Sequence, residues 1–241
     1  MGHDTTLYGG SPAQSEVARS GGSEVSARRT SPRDEHKRLT RRRILDGAVA
    51  VFAGKSFVEA TMEDIARAAR VTRATVYAYF PGKVEILRAL VARVYEVADG
   101  VCAALAVQDE WTRAGVRAWL RDAAAAWREM APVIRVLAAA GSTALGDPGG
   151  ARDRSLAAHE RYVALLADPR HWPGTPPAEA RQRALMAVLQ VESFLSIWIA
   201  GGWPLETDDP FDLLTDAICH LLGPALRDGP GYGPGEPARR R

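Results

Sequence analysis

Apolar residues recur at helical spacing through almost all of the chain between its two polar ends. In the first of these segments Leu45, Ala48, Val49 and Phe52 lie three or four residues apart, which places them on one face of a helix. The strict alternation of apolar and polar residues that is typical of a strand is nearly absent. The pattern therefore predicts an all-α protein with about nine helices.

The second and third predicted helices are short and close together. One covers about 62–69, with Thr61 as its N-cap and Asp64 as the capping partner three residues later. The next opens at the Thr72 cap and lasts two turns. Two short helices that are joined by a tight turn and packed across a first helix form a helix-turn-helix. Residues 32–83 are therefore predicted to be a three-helix domain of this kind.

Longer helices are predicted after this domain. A fourth helix carries one apolar stripe from Leu87 to Leu105, and a fifth carries another from Val116 to Met130. Pro132 is expected to break the fifth helix, because proline lacks a backbone donor and clashes with the preceding turn. Further helices are predicted at 133–140, 152–167, 178–200 and 210–222, with loops at 141–150 and 168–177.

The helix predicted at 178–200 is unusual because its middle, 185–199, is apolar on almost every side. A surface helix needs only one apolar stripe, so this helix needs cover on several sides. The cover comes either from a second copy of the chain or from the chain itself, with the helix at the centre of a monomer. No uninterrupted run of 18 apolar residues occurs, so a membrane span is not expected.

Charge is distributed unevenly, although the net charge is only +2. Residues 28–83 contain 13 Lys and Arg against 6 Asp and Glu, whereas the other residues contain 18 against 23. A basic head on an acidic body indicates that the head meets a polyanion. A solvated basic face is the alternative.

The remaining composition mainly excludes classes of function. Cys102 and Cys219 lie far apart, with neither disulfide-scaffold nor zinc spacing; they are either core residues or thiol sensors. No Ser-His-Asp order, HExxH motif or phosphate loop is present, so an enzyme, a cofactor and a bound metal are not expected. The polar segments 1–31 and 228–241 are predicted to be disordered tails.

The third helix has the residues of a recognition helix. Arg73 and Thr75 can hydrogen-bond to base edges, and Ala74 allows a close approach to the major groove. Val76 and Phe80 are expected to point back to the core. Phosphate contacts, which fix the register on DNA, are expected from Tyr77, Tyr79 and Lys83.

The stretches ILDGAVAVF and ATMEDIARAARVTRATVYAYFPGKVEIL resemble the DNA-binding domain of the TetR family. The resemblance implies that Thr61 and Thr72 also reach phosphates. The turn has Arg70 where the family usually has glycine, so Arg70 either carries strain at a positive φ or gains a phosphate contact. The matching positions are Ala48, Phe52, Phe57, Thr61, Ile65, Ala66, Val71, Thr72, Thr75, Tyr77, Phe80, Lys83 and Leu87.

The resemblance implies that residues 84–227 bind a ligand and form a homodimer through the last two helices. The dimer interface is predicted to contain Val188, Val191, Leu195, Leu214, Ile218 and Leu221. A small apolar or amphipathic effector is expected between the fourth and eighth helices. Its predicted pocket contains Trp119, Trp127, Met130, His159, Tyr162, Phe194 and Trp198, for which ordinary core packing is the alternative.

The function expected from these features is cytoplasmic transcriptional regulation. A dimer would bind double-stranded palindromic operator DNA as a repressor and would release it when the effector binds. The alternative is a helix-turn-helix protein without a ligand, which is either architectural or controlled by a partner.

Overall fold

The computed structural model describes residues 31–141, 148–206, 209–223 and 226, and within these ranges the protein is built from eight α-helices. The predicted all-α class is confirmed. The predicted tails 1–31 and 228–241 lie outside the described residues except for Ser31. The helices are α1 (Pro32–Gly54), α2 (Met62–Ala69), α3 (Arg73–Tyr79), α4 (Lys83–Ala106), α5 (Arg113–Ala140), α6 (Pro148–Leu166), α7 (Pro177–Leu195) and α8 (Phe211–Leu221).

The predicted break at Pro132 is wrong, because α5 continues through this residue to Ala140. Pro132 lies on the exposed side of the helix, where the carbonyl that lacks a donor can be hydrated. The neighbouring Val133 and Val136 are buried. Their packing therefore outweighs the local cost of proline, and the two predicted helices are one. The predicted loop 141–150 is also shorter than expected, since α6 begins at residue 148.

The last turn of α7 continues into a π-helical turn, Ser196–Ala200, so the long apolar helix predicted at 178–200 is present with a change of winding near its end. A short 3₁₀ turn, Pro169–His171, lies in the loop before α7.

Two clusters of buried side chains form separate cores. The first, which we call the head core, joins α1, α2 and α3 through residues such as Ile44, Ile65 and Val76, all with no exposed area. The second, the body core, is built by α4 to α8 around Leu120 and Tyr162. The three helices of the head share one core, and the predicted domain boundary at residue 83 stays a prediction.

Both α4 and α5 contribute side chains to the head core. The first turns of α4 bury Ile86, Leu87 and Leu90 there, and the second half of α5 adds Met130 and Val133. The head therefore rests on two helices of the body. Only the α4 connection could be read from the chain order.

A row of arginines on α5 pairs with aspartates on α8 and just before it. Arg113, Arg117 and Arg121 are spaced four residues apart on α5 and pair with Asp209, Asp212 and Asp216. Arg113 lies 2.7 Å from Asp216, and Arg117 lies 3.1 Å from Asp212. Exposed ion pairs each contribute little to stability, so the packing energy comes mainly from the buried Leu214 and Ile218. The ion pairs favour one alignment of α8 along α5.

Candidate nucleic-acid interface

A capping box begins α2, as the sequence predicted. The Asp64 backbone N–H donates to Thr61 Oγ1 at 3.1 Å, and the Thr61 backbone N–H donates to Asp64 Oδ2 at 3.1 Å. Lys55 Nζ lies 3.0 Å from the same carboxylate. The hydrogen bonds from Thr61, together with Lys55, lower the pKa of Asp64 to about 2. The first turn of the helix-turn-helix thus depends on an ionised Asp64.

Asp64→Asn is expected to lower the free energy of unfolding of the head at neutral pH and to make that free energy depend less on pH in the acid range. Because the pKa of Asp64 is lower in the folded chain than its ordinary 3.8, the stabilisation is complete above about pH 4 and is lost as the pH falls toward about 2. Urea midpoints measured across this window test the prediction. Glu63→Gln, in the same helical turn, is the control, and an acid dependence as steep in Asp64→Asn as in the wild type would contradict it.

The turn between α2 and α3 contains Arg70, at the position where the TetR family usually has glycine, and its backbone is left-handed. Arg70 has φ 54° and ψ 46°, and it is the one non-glycine residue with positive φ in the described part of the chain. Arg43 on α1 donates to the carbonyl oxygens of Ala69 and Arg70 at 3.0 and 3.1 Å. These bonds cap the end of α2, which offsets the unfavourable backbone of Arg70 and leaves its own side chain exposed.

The start of α3 is exposed while its inner side is anchored. Thr72 Oγ1 accepts from the Thr75 backbone N–H at 3.1 Å and so caps the helix. Arg73 and Ala74 are exposed and Thr75 is partly exposed. The opposite side buries Val76 completely, and Phe80, just after the helix, is 4% exposed. The predicted arrangement of a polar tip on an apolar back is therefore present.

The two tyrosines of α3 differ in accessibility. Tyr77 is 42% exposed, and the Arg73 guanidinium lies 5.4 Å from the centre of its ring. Tyr79 is only partly exposed and packs against the head core. Tyr77 and Arg73 therefore present one joint surface to solvent, whereas Tyr79 presents only part of its side chain.

The side chains of Lys83 and Thr61 form hydrogen bonds within the protein, and their phosphate contacts stay a prediction. The Lys83 ammonium donates to the carbonyl oxygens of Phe57, Val58 and Ala60 at 2.7, 2.8 and 3.2 Å. An ammonium has three donors, so these bonds use all of them. The Thr61 hydroxyl donates to Asp64 Oδ2 at 2.8 Å. Lys83 therefore ties α4 to the loop before α2, and Thr61 completes the capping box.

The residues predicted for the effector pocket do not form one group. Trp119, Trp127 and Tyr162 are buried in the body core, where the Trp119 indole donates to the Val101 carbonyl oxygen at 2.7 Å. Phe194 and Trp198 pack against this core with ring centres 5.7 Å apart. Met130 belongs to the head core instead, because the end of α5 reaches under the head. Met130 therefore lies apart from the other residues of the predicted pocket, and the pocket itself stays a prediction.

His159 joins α6 to α7 rather than standing alone on an apolar face. Its Nε2 lies 2.9 Å from Glu192 Oε2, and its Nδ1 lies 2.7 Å from the Ser155 carbonyl oxygen. Burial raises the pKa of Glu192, and the neighbouring His159 opposes this increase. The pair is a polar contact inside the body, close to Tyr162.

Neither cysteine has the features of a reactive thiol. Cys102 is buried, and burial raises the pKa of its thiol to about 12, with a further contribution from Glu192. Burial also raises the pKa of Cys219. Redox sensors need an accessible thiol with a lowered pKa, so the geometry favours the interpretation as core residues.

Five of the six residues predicted for the dimer interface are buried in the body core of one copy of the chain. Leu195 and Ile218 have no exposed area, and Val188, Val191 and Leu214 are at most 5% exposed. Since these five side chains already pack within the chain, they have no surface left for a second copy. Leu221 is only partly buried.

The exposed apolar side chains of α7 and α8 lie on other faces. Met186 and Leu189 on α7 and Ile197 in the following π turn are 44% to 59% exposed, and Leu213 on α8 is 83% exposed. The segment Pro177–Ala200 is long and apolar enough to cross a membrane by length and composition alone, with 33% of its most apolar window buried. Much of the apolar surface of this segment is therefore left without cover in one copy of the chain.

The comparisons agree with the helix-turn-helix. The sequence profile of bacterial regulatory proteins, tetR family, matches residues 44–90. Over 66 residues the chain is 46% identical to the HTH-type transcriptional regulator SrpR of Pseudomonas putida, which covers 27% of this chain and 30% of that protein. Over 107 residues it is 36% identical to the HTH-type transcriptional repressor LfrR of Mycolicibacterium smegmatis, which covers 44% of this chain and 53% of that protein.

The whole helical arrangement is similar to that of NalD, described as the secondary repressor of the MexAB-OprM multidrug efflux pump in Pseudomonas aeruginosa. The TM-score is 0.53 at 19% identity, over 81% of this chain and 100% of that one. This likeness shows the fold alone. The fold and the head together define an all-helical helix-turn-helix protein. The profile match and the sequence relatives show that residues 44–90 are similar to the DNA-binding domain of tetR-family regulatory proteins, and the chain spans about half or less of the length of these relatives.

Proposed function

We propose that the protein is a cytoplasmic transcriptional repressor that binds palindromic operator DNA as a homodimer and releases it when a small molecule binds in the body. The observation that carries the proposal is the exposed N-terminal half of α3, held in place by the buried Val76 and Phe80. A recognition helix needs exposed polar side chains on one side and buried apolar side chains that anchor its other side.

Each part of the exposed surface has a chemical role in this proposal. Arg73 and Thr75 read base edges in the major groove, and Ala74 lets the helix approach them. The hydroxyl groups of Thr72, Tyr77 and Tyr79 and the Arg70 side chain contact phosphates, which fix the register. Arg70 follows directly after α2, so its guanidinium can reach the backbone on the side of the turn.

Dimerisation follows from the uncovered faces of α7 and α8. The exposed residues Met186 and Leu189 of α7 and Ile197 of the following π turn lie three and eight residues apart, so they form one stripe along the helix. Leu213 is a further exposed apolar residue on α8. A two-fold pair of these helices would bury the stripe in a four-helix interface, and it would present two copies of α3 to the two halves of a palindrome.

Release by an effector uses the two supports of the head. A small apolar or amphipathic molecule that enters among the aromatic side chains of the body core would displace α4 or α5. Both helices carry side chains that pack in the head core, so such a displacement moves α3. A tenfold to hundredfold loss of DNA affinity requires only about 1.4–2.7 kcal/mol of coupling.

The proposal is tested with an operator that the purified protein selects from a pool of random duplexes. We expect an inverted repeat. Arg73→Ala and Thr75→Ala should each weaken binding to it by roughly fivefold to a hundredfold, because each removes a side chain that reads a base, and should relax the base preference. Arg154→Ala, an exposed residue on α6, is the control. Selection of no common sequence, with binding that depends only on salt, would overturn the proposal in favour of an architectural protein.

A further inference from the structure

The first two turns of α1 extend beyond the head core and carry a row of basic side chains. From residue 31 to residue 39 no side chain is buried, and the first buried residue is Thr40. Arg33, Lys37 and Arg41 are all exposed. Because they are four residues apart, they lie along one side of the helix.

This row has a defined direction relative to the recognition helix. Three and seven residues after Arg41, the same side of α1 buries Ile44 and Ala48 in the head core, so the row continues the face that packs on the helix-turn-helix. The Arg41 guanidinium lies 5.3 Å from the centre of the Phe80 ring, and Phe80 is the residue directly after α3. The row therefore begins beside α3 and leads away from it along the projecting helix.

The other basic residues of α1 are engaged within the protein. Arg38 lies 2.6 Å from Glu35, Arg42 lies 3.8 Å from Asp46, and Arg43 donates to carbonyl oxygens at the end of α2. In the described part of the chain, no ion pair is formed by Arg33, Lys37 or Arg41.

The acidic residues at the start of the helix form no ion pair with the row. The Asp34 carboxylate accepts a hydrogen bond from the Ser31 hydroxyl at 2.8 Å, and the Glu35 carboxylate accepts two from Arg38. Arg38 balances the charge of Glu35, and Asp34 offsets only one of the three cations of the row. The projecting end of α1 therefore presents an excess of positive charge to solvent.

We propose that Arg33, Lys37 and Arg41 form an arm that binds the phosphates of the DNA backbone flanking the base pairs read by α3. The inference rests on the proposed DNA binding and adds a second contact region to it. Duplex DNA carries a phosphate charge about every 1.7 Å along its axis, so a linear row of cations on a projecting helix matches it in charge and shape. The arm contributes affinity without base preference.

The test compares Arg33→Gln/Lys37→Gln with Arg152→Gln/Arg154→Gln, which removes the same charge from exposed positions on α6. Arg41 is kept because it also contacts Phe80. We expect the arm variant to bind the selected operator and a mixed-sequence duplex with equal losses of roughly tenfold or more at low salt. The slope of log affinity against log salt should become shallower by about 0.9 for each phosphate that the variant no longer neutralises. The α6 control should match the wild type.

The length of the duplex provides a second measurement. If the operator is lengthened at both ends, the wild-type affinity should rise, and the arm variant should lose this gain. Equal slopes in the arm variant and the α6 control would overturn the arm while leaving the proposed function intact. A wild-type protein that binds no duplex would instead refute the proposed function. Binding to vesicles of anionic phospholipid that needs Arg33 and Lys37, with unchanged DNA binding, would also overturn the proposal.

Discussion

Leu189→Asp is expected to convert the dimer into a folded monomer and to lower affinity for the operator by roughly a hundredfold or more. Leu189 is 44% exposed and lies in the middle of the uncovered stripe on α7, so in the dimer it would be buried against the second copy. A carboxylate placed there is left without a partner in an apolar contact. A monomer reads one half-site, and the absence of the second half-site accounts for the decrease in affinity.

The exposure of Leu189 makes this test specific to the interface. Because the side chain already meets water in one copy of the chain, the substitution should leave the helical content and the unfolding of the monomer unchanged. Leu156→Asp is a matched control, since Leu156 is a leucine on α6 that is 56% exposed. Analytical ultracentrifugation and operator binding provide the two measurements. A Leu189→Asp protein that stays dimeric with wild-type affinity would show that another surface forms the dimer.

The proposed dimer surface shows how much a sequence pattern can predict. The pattern identified α7 as a helix that needs cover on several sides, but it did not distinguish the side that the chain covers from the side that it leaves open. Val188 and Leu189 are adjacent, and both are apolar, yet Val188 is 4% exposed and Leu189 is 44% exposed. Which of the two is buried depends on where α5, α6 and α8 lie, and helical periodicity does not contain that information.

The head was predictable in detail because its determinants are local. Thr61 with Asp64 and Thr72 with Thr75 are capping pairs three residues apart, and such pairs can be read directly from the sequence. The hydrogen bonds of Lys83 were not predictable for the opposite reason, since its three acceptors lie 23 to 26 residues earlier in the chain. The basic row on α1 was readable from its spacing of four, but its exposure was not.

Gly47→Ala is expected to destabilise the head by about 1–3 kcal/mol, because an added methyl group has no space between α1 and α2. A Cβ atom at residue 47 would lie 2.8 Å from the Ala69 backbone nitrogen and 3.1 Å from its Cα. The obstructing atoms belong to the backbone, so no side-chain rotation can relieve the overlap. The two helices must separate, although alanine itself favours a helix over glycine.

Gly100→Ala is the same chemical change, but it is expected to stabilise the protein. Gly100 is exposed in α4, and nothing lies within 4 Å of an added Cβ atom. This variant should therefore gain about 0.5–1 kcal/mol from helix propensity. Urea unfolding followed by circular dichroism measures both variants, and stabilisation by Gly47→Ala as large as that by Gly100→Ala would contradict the close approach.

Separation of α1 from α2 should also disturb the position of α3, the helix proposed to contact DNA. Ala69 is the last residue of α2, and its carbonyl oxygen, together with that of Arg70, accepts from Arg43 on α1. If Gly47→Ala moves these helices apart, the bonds that hold the left-handed turn weaken, and the start of α3 is no longer fixed. We therefore expect Gly47→Ala to lower operator affinity even under conditions where the protein remains folded, whereas Gly100→Ala should retain it.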